Sequence, residues 1–223
     1  MNDFSEARFN MVESQIRPNQ VTDARLLRAL LDVPREKFVP SSMQALAYME
    51  EEIVVAQAFA GAPTRSLMSP MPQARMMQLA EVEPDDLVLD VGCVSGYSTA
   101  VLARLAESVV GLECNESLAE QATQALMELE ADNAAVVSGP LPEGYASEGP
   151  FDVILLNGSV PEVPGGLLKQ LKDGGRLVAI IAQSNFGEAT LFRNSGGRVS
   201  YRSVFDASAQ PLPGFEREQE FVF

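Results

Sequence analysis

The chain has 223 residues, with 16 lysines and arginines against 31 aspartates and glutamates, a formal charge of −15, and no histidine or tryptophan. Without an imidazole there can be no Ser-His-Asp or Cys-His nucleophile pair, no histidine general base and no histidine-ligated zinc or iron. A hydrophobic content of 46% suits one domain of generous size, or one domain with an appendage, and argues against disorder of the whole chain.

No stretch approaches eighteen uninterrupted apolar residues, and Met1 to Asn10 carries Asp3, Glu6 and Arg8 where a signal peptide would have a basic start and an apolar run. The expectation is a cytoplasmic protein with no membrane insertion. Cys93 and Cys114 form neither a disulfide framework nor a Cys-x-x-Cys pair, so free thiols are expected and metal ligation is not. Residues 105–168 contain no lysine or arginine but eleven acidic side chains. Such a stretch would repel a phosphate backbone, so no nucleic-acid partner is expected. It reads either as a solvated acidic face or as a docking surface for a basic partner.

The first elements are helical: Phe4 to Ile16, then Thr22 to Leu31, entered through Thr22 and Asp23 as capping candidates and stopped before Pro34. Glu50 to Pro72 reads as a loop, because Gly61, Pro63, Pro70 and Pro72 interrupt any continuous helix or central strand. A helix over Gln73 to Glu81 follows, then the buried-strand run Leu87 to Val91. Next come a helix from Tyr97 to Ala106, a strand Ser108 to Leu112, a helix Glu116 to Glu130 with Leu118, Ala122, Ala125 and Leu129 on one face, and a strand Ala134 to Val137. The alternation continues with Phe151 to Leu156, a helix from Glu162 to Leu171 and Arg176 to Ile181. The ending is β-rich: Glu188 to Arg193, a Gly196-Gly197 turn, Arg198 to Phe205, and Phe215 to Phe223.

Strands alternating with helices imply right-handed βαβ units and a doubly wound, mostly parallel α/β sheet closed by an antiparallel hairpin. That ending departs from the symmetric two-half dinucleotide fold and matches the seven-stranded, Rossmann-like arrangement of S-adenosylmethionine-dependent methyltransferases, which is the fold expected. Residues 1–72 are read as a helical N-terminal cap with a substrate loop, and residues 73–223 as the Rossmann-like core in one compact unit.

Ligands of open α/β sheets bind beyond the carboxyl ends of the strands, which singles out the first strand-to-helix turn, Asp90-Val91-Gly92-Cys93-Val94-Ser95-Gly96-Tyr97. Gly92 and Gly96 allow a tight turn and close backbone approach to a ligand, and the following helix offers free N–H groups. About twenty residues on, Glu113 ends the next strand, where a carboxylate can accept from ribose hydroxyls. Asp90 is assigned to support the loop or the methionine amine. The spacing Gly-x-x-x-Gly suits a nicotinamide cofactor less well than an adenosyl ligand.

Several separated strings resemble the protein-L-isoaspartate O-methyltransferase family: Met11-Val12-Glu13-Ser14-Gln15-Ile16-Arg17-Pro18 with Val21-Thr22-Asp23, Val33 to Pro40, Gly92 to Tyr97, and Phe151-Asp152 through Pro161-Glu162-Val163-Pro164 to Leu171 to Val178. The resemblance implies transfer of a methyl group from S-adenosylmethionine to the free carboxylate of isoaspartyl residues in damaged proteins or peptides. The chain departs from the family pattern at three places. Val94 stands where the middle glycine of the loop falls, Gly139-Pro140-Leu141 replaces Gly-Asp-Gly, and Ser66-Leu67-Met68-Ser69 lies opposite Thr-Ile-Ser-Gln, so Met68 takes the place of the expected hydroxyl. Ser66 and Ser69, with Thr64 as an alternative, are the candidates for positioning the reacting carboxylate. Two further readings stand beside this one: a non-catalytic member that serves as a stable subunit of a larger assembly, and a methyltransferase acting on a small molecule.

Overall fold

The computed structural model describes residues 4–58, 63–182 and 186–216. In chain order the elements are α1 (Ser5–Asn10), α2 (Ala24–Asp32), β1 (Ile53–Ala56), β2 (Arg65–Leu67), α3 (Pro70–Ala80), β3 (Leu87–Val91), α4 (Tyr97–Ala103), β4 (Ser108–Glu113), α5 (Glu116–Glu128), β5 (Ala134–Ser138), β6 (Phe151–Val160), α6 (Gly165–Leu168), β7 (Leu171–Ala182), β8 (Gly187–Ser195) and β9 (Arg198–Ala207).

Seven strands form one sheet in the order β5-β4-β3-β6-β7-β8-β9. The pairs from β5 through β7 are parallel, and β7, β8 and β9 then run antiparallel, so the expected mixed sheet with its hairpin ending is present. Chain order reverses at β3, which has β4 on one side and β6 on the other; in such sheets that is where ligands are held. Apolar residues from both faces of the sheet are fully buried, Val88, Val153 and Val178 on one and Leu89, Ile154 and Leu177 on the other, as continuous strand runs require.

Local chemistry fixes the helix starts. Asp23 accepts from the amides of Arg25 and Leu26 at 2.7 and 3.2 Å and so caps α2, and Asn115 caps α5 through the Leu118 amide. The first helix extends as expected to Ile16, but its second half, Met11–Ile16, has π-type turns.

Three expectations are corrected. The segment read as a loop from Glu50 to Pro72 contains β1 and β2, paired with one another in a small separate antiparallel sheet. Pro70 and Pro72 open α3 instead of preventing it, since the first turn of a helix needs no proline N–H. The helix expected over Glu162 to Leu171 shrinks to the single turn α6, where Gly165 and Gly166 give little helical stability, and Leu171 already belongs to β7. Of the expected last strand, residues 217–223 lie outside the described residues.

The N-terminal segment is tied to the sheet through a buried arginine. Arg35 donates to the carbonyls of Ala47 and Met68 at 2.7 and 2.6 Å, to Gln73 at 3.3 Å, and lies 4.7 Å from the centre of the Tyr97 ring. One side chain thereby fixes the end of β2 and the starts of α3 and α4 relative to each other. No helix of the described residues is long and apolar enough to cross a membrane.

Candidate active site

The turn after β3 is held in a shape that glycine favours. Gly92, Val94 and Gly96 have φ of +76°, +56° and +92°. For a β-branched residue the left-handed region is strained, of order 1–3 kcal/mol. Val94 is held there by its own amide, which donates to Glu113 at 2.9 Å. The loop therefore keeps its course although its middle glycine is missing.

Asp90 stands behind this loop, fully buried. Its carboxylate accepts from the hydroxyls of Ser98 and Thr99, both at 2.7 Å, and from the amide of Asn157. Asn157 accepts in turn from Gln73, which links Asp90 to the Arg35 cluster. All of Asp90's recorded donors are neutral, and burial pushes its carboxyl up from 3.8 to about 6. Its partners are Ser98 and Thr99 in the first turn of α4 and Asn157 within β6, so it joins those two elements.

Glu113 ends β4 and is also fully buried. Its side chain reaches the loop at the Val94 amide, but its oxygens are already engaged. Arg65 donates from Nε to Oε1 at 3.0 Å and from Nη2 to Oε2 at 2.9 Å, a bidentate ion pair with 3% exposure on the arginine side. The amides of Cys114, Asn115 and Val94 complete the shell at 3.0, 3.1 and 2.9 Å. Burial pushes this carboxyl up, but the guanidinium and the amides outweigh it and hold it below the ordinary range. The adjacent thiols move the other way: burial and the nearby carboxylates raise Cys93 well above its usual value and Cys114 to about 11, so both are protonated at neutral pH. Both are free, as expected.

The space above Gly92 is filled. A Cβ placed there would lie 2.7 Å from Leu212, 3.2 Å from Arg65 and 3.7 Å from Leu141. A Cβ on Gly158 would also meet Leu212 at 2.7 Å. Leu212 is anchored by its amide to the Ser159 carbonyl, while the Ser159 amide donates to Gln210, both at 2.9 Å. Leu141 follows Pro140, the residue that replaces the family's acid, and is fully buried. An adenosyl group would need open space over Gly92 and a free acceptor at Glu113. The described residues offer neither in this arrangement, so as they stand they do not fit that group.

The candidate hydroxyls lie to one side. In a strand, neighbouring side chains point to opposite faces; Arg65 and Leu67 share the buried face of β2, and Ser66 lies half-buried on the other. Met68 is buried in the core. Ser69 occupies the N-cap position of α3 without capping it; the Met71 amide is instead taken by Glu50, at 3.1 and 3.2 Å to its two oxygens. Thr64, the alternative, accepts from the Ala58 amide at 3.2 Å.

Sequence reasoning missed Arg65, Asn157 and Leu212. Period-two alternation could have found Arg65, which shares its face with an apolar Leu67. Asn157 is a polar residue closing the apolar run Val153 to Leu156, at the point where β6 stops pairing with β3. For Leu212, between two prolines, no local signal existed.

Comparison with known proteins gives a consistent answer. Residues 6–212 match the model of the family described as Protein-L-isoaspartate(D-aspartate) O-methyltransferase (PCMT). The chain is 33% identical to a protein-L-isoaspartate O-methyltransferase of Koribacter versatilis, covering 95% of this chain and 92% of the relative. It is 35% identical to one of Serratia proteamaculans over 79% and 82%. A solved protein-L-isoaspartate O-methyltransferase superposes with a TM-score of 0.79 at 25% identity, over 94% of this chain and 66% of the other. A Plasmodium falciparum structure, a putative member of the family in complex with S-adenosyl-L-homocysteine, shares the fold with a TM-score of 0.76 at 20% identity, over 95% and 99%. The strings around Met11, Val33, Gly92 and Leu171 thus belong to a likeness that runs through nearly the whole length, and the chain is a member of the protein-L-isoaspartate O-methyltransferase family.

Proposed function

We propose that this protein is an S-adenosylmethionine-dependent methyltransferase that esterifies the free carboxylate of isoaspartyl residues in damaged proteins. The observation that carries the reading is the turn after β3: three left-handed residues within five, the middle one a valine held in a glycine-like conformation beside a buried acid. Strain of this kind is retained where the shape of the backbone matters. The relatives named above carry the enzyme's name, which favours this activity over the accessory-subunit reading.

The absence of histidine suits the reaction, because the acceptor carboxylate is ionised at neutral pH and needs no general base. Ser66 and Ser69 are the hydroxyls we assign to orient that carboxylate; both are half-buried and flank the β2–α3 junction that Arg35 holds. The segment up to residue 72, helices followed by the β1–β2 pair, serves as the cap that carries them. A cytosolic location agrees with the two free thiols.

The test is methyl transfer from labelled S-adenosylmethionine, at millimolar concentration, to an isoaspartyl peptide and to its aspartyl counterpart. Ester formation on the isoaspartyl peptide alone is expected. Transfer to neither, with no binding of the methyl donor, would overturn the reading; transfer only to a metabolite would move the activity to small molecules.

A further inference from the structure

The Arg65–Glu113 pair is a feature that the proposed activity does not use and that opposes it. A guanidinium presents two parallel N–H donors to the two oxygens of a carboxylate, the same atoms that two adjacent ribose hydroxyls would engage. With Arg65 Nε and Nη2 on Oε1 and Oε2 at 3.0 and 2.9 Å, and three backbone amides around them, Glu113 has no free direction left for a sugar. The two modes of binding are mutually exclusive.

The element carrying Arg65 lies outside the large sheet; its end is held by Arg35 at the Met68 carbonyl, so the part free to move is the Arg65 side chain and not β2 as a whole. β2 has three residues and pairs only with β1, outside the seven-stranded sheet, and its pairing is irregular between Val54 and Ala56. Withdrawing Arg65 breaks no bond of the large sheet. Glu113 would keep its three amide donors, so the acid stays supported after the arginine leaves. Leu212, the second group over Gly92, is fixed to Ser159 by backbone bonds and packs in the core; it narrows the space without touching the acid's hydrogen bonds.

We propose that Arg65 sets the affinity of the adenosyl site by competing with the ribose for Glu113, so that the ligand enters only in the fraction of molecules whose Arg65 side chain has withdrawn its guanidinium. This rests on the methyltransferase reading above. Apparent affinity then falls by the open fraction, and removing the competitor restores it.

The experiment is calorimetric titration of the full chain with S-adenosylhomocysteine, for the native protein, Arg65→Ser, Arg65→Gln, Arg65→Lys and Leu212→Ala, each checked for a cooperative thermal transition. Arg65→Ser is expected to bind on the order of tenfold or more tightly than native. Arg65→Lys, which keeps a cation against Glu113, should stay near native, and Leu212→Ala should gain less than Arg65→Ser. Should Arg65→Ser fail to fold, the tenfold criterion passes to Arg65→Gln, which keeps length but not charge. A folded Ser or Gln variant that binds no more tightly than a native protein that itself binds would overturn the competitor role and leave the methyltransferase reading standing. Absence of binding by every protein in the series, Leu212→Ala included, at millimolar ligand would overturn both.

Discussion

Asp90 and Glu113 stand near the carboxyl ends of neighbouring parallel strands, both fully buried, yet their acidities move in opposite directions. Asp90 is surrounded by two hydroxyls and an amide, neutral donors that do not cancel the loss of water, and its carboxyl rises to about 6. Glu113 has a full positive charge in bidentate contact and falls below its usual range. Both are closed off from solvent, and the charge of the partner sets the direction. Asp90 joins α4 to β6 through neutral donors, and Glu113 is held by a cation that an adenosyl ligand would have to displace.

The strongest way to break the comparison is to remove the acid of the ion pair. Glu113→Ala leaves the Arg65 guanidinium buried without a counter-charge and three amides without an acceptor, and should cost about 3–5 kcal/mol of stability in urea unfolding. Asp90→Ala strands only neutral donors and should cost less, about 2–4 kcal/mol. Equal losses would mean that the charge on Arg65 contributes nothing beyond hydrogen bonding.

The acidities supply a second separation. Asp90 binds its proton more tightly folded than unfolded, so between pH 3.8 and about 6 the native state holds the extra proton, and stability from this group is lost as pH rises through that window. Glu113 has the opposite sign: its contribution is present above the unfolded value of 4.5 and is lost as pH falls through the lower folded one. Relative to Asp90→Asn, the native protein should lose about 2 kcal/mol between pH 4 and pH 6, measured as the difference of their urea stabilities. A difference that does not change with pH would show that Asp90 titrates normally.

The smallest effect concerns the amide that joins the loop to Glu113. At Val94, φ of +56° should invert the usual order of small residues, making Val94→Gly more stable than Val94→Ala by about 1 kcal/mol, because alanine keeps the strain and glycine does not. Thermal melts of the two variants check it; alanine at or above glycine would mean that position 94 is not left-handed in solution.

Much of the frame was legible in the sequence. The runs Leu87 to Val91 and Ser108 to Leu112 are apolar on both faces and bounded by turns, and they are strands at nearly the expected bounds. Asp23 and Asn115 mark helix starts by a chemistry that acts within three residues. Where the expectation failed, as over Glu162 to Leu171 and Glu50 to Pro72, pairing with a distant partner overruled local preference: Leu171 joins Phe151, and Ile53 joins Leu67.

By itself the sequence determined the alternation of strands and helices, the family, and the placing of Asp90 and Glu113 on adjacent strands with Gly92 and Gly96 in the turn between, because periodicity, glycine and chain order are properties of neighbouring residues. The state of the site was decided only by the tertiary structure. Arg65 meets Glu113 across 48 positions, and Asn157 meets Asp90 across 67. Leu212 reaches Gly92 from the far end of the chain. Such contacts depend on how the sheet and its two-stranded attachment fold together, and no local pattern encodes which buried acid receives a neutral donor and which a cation.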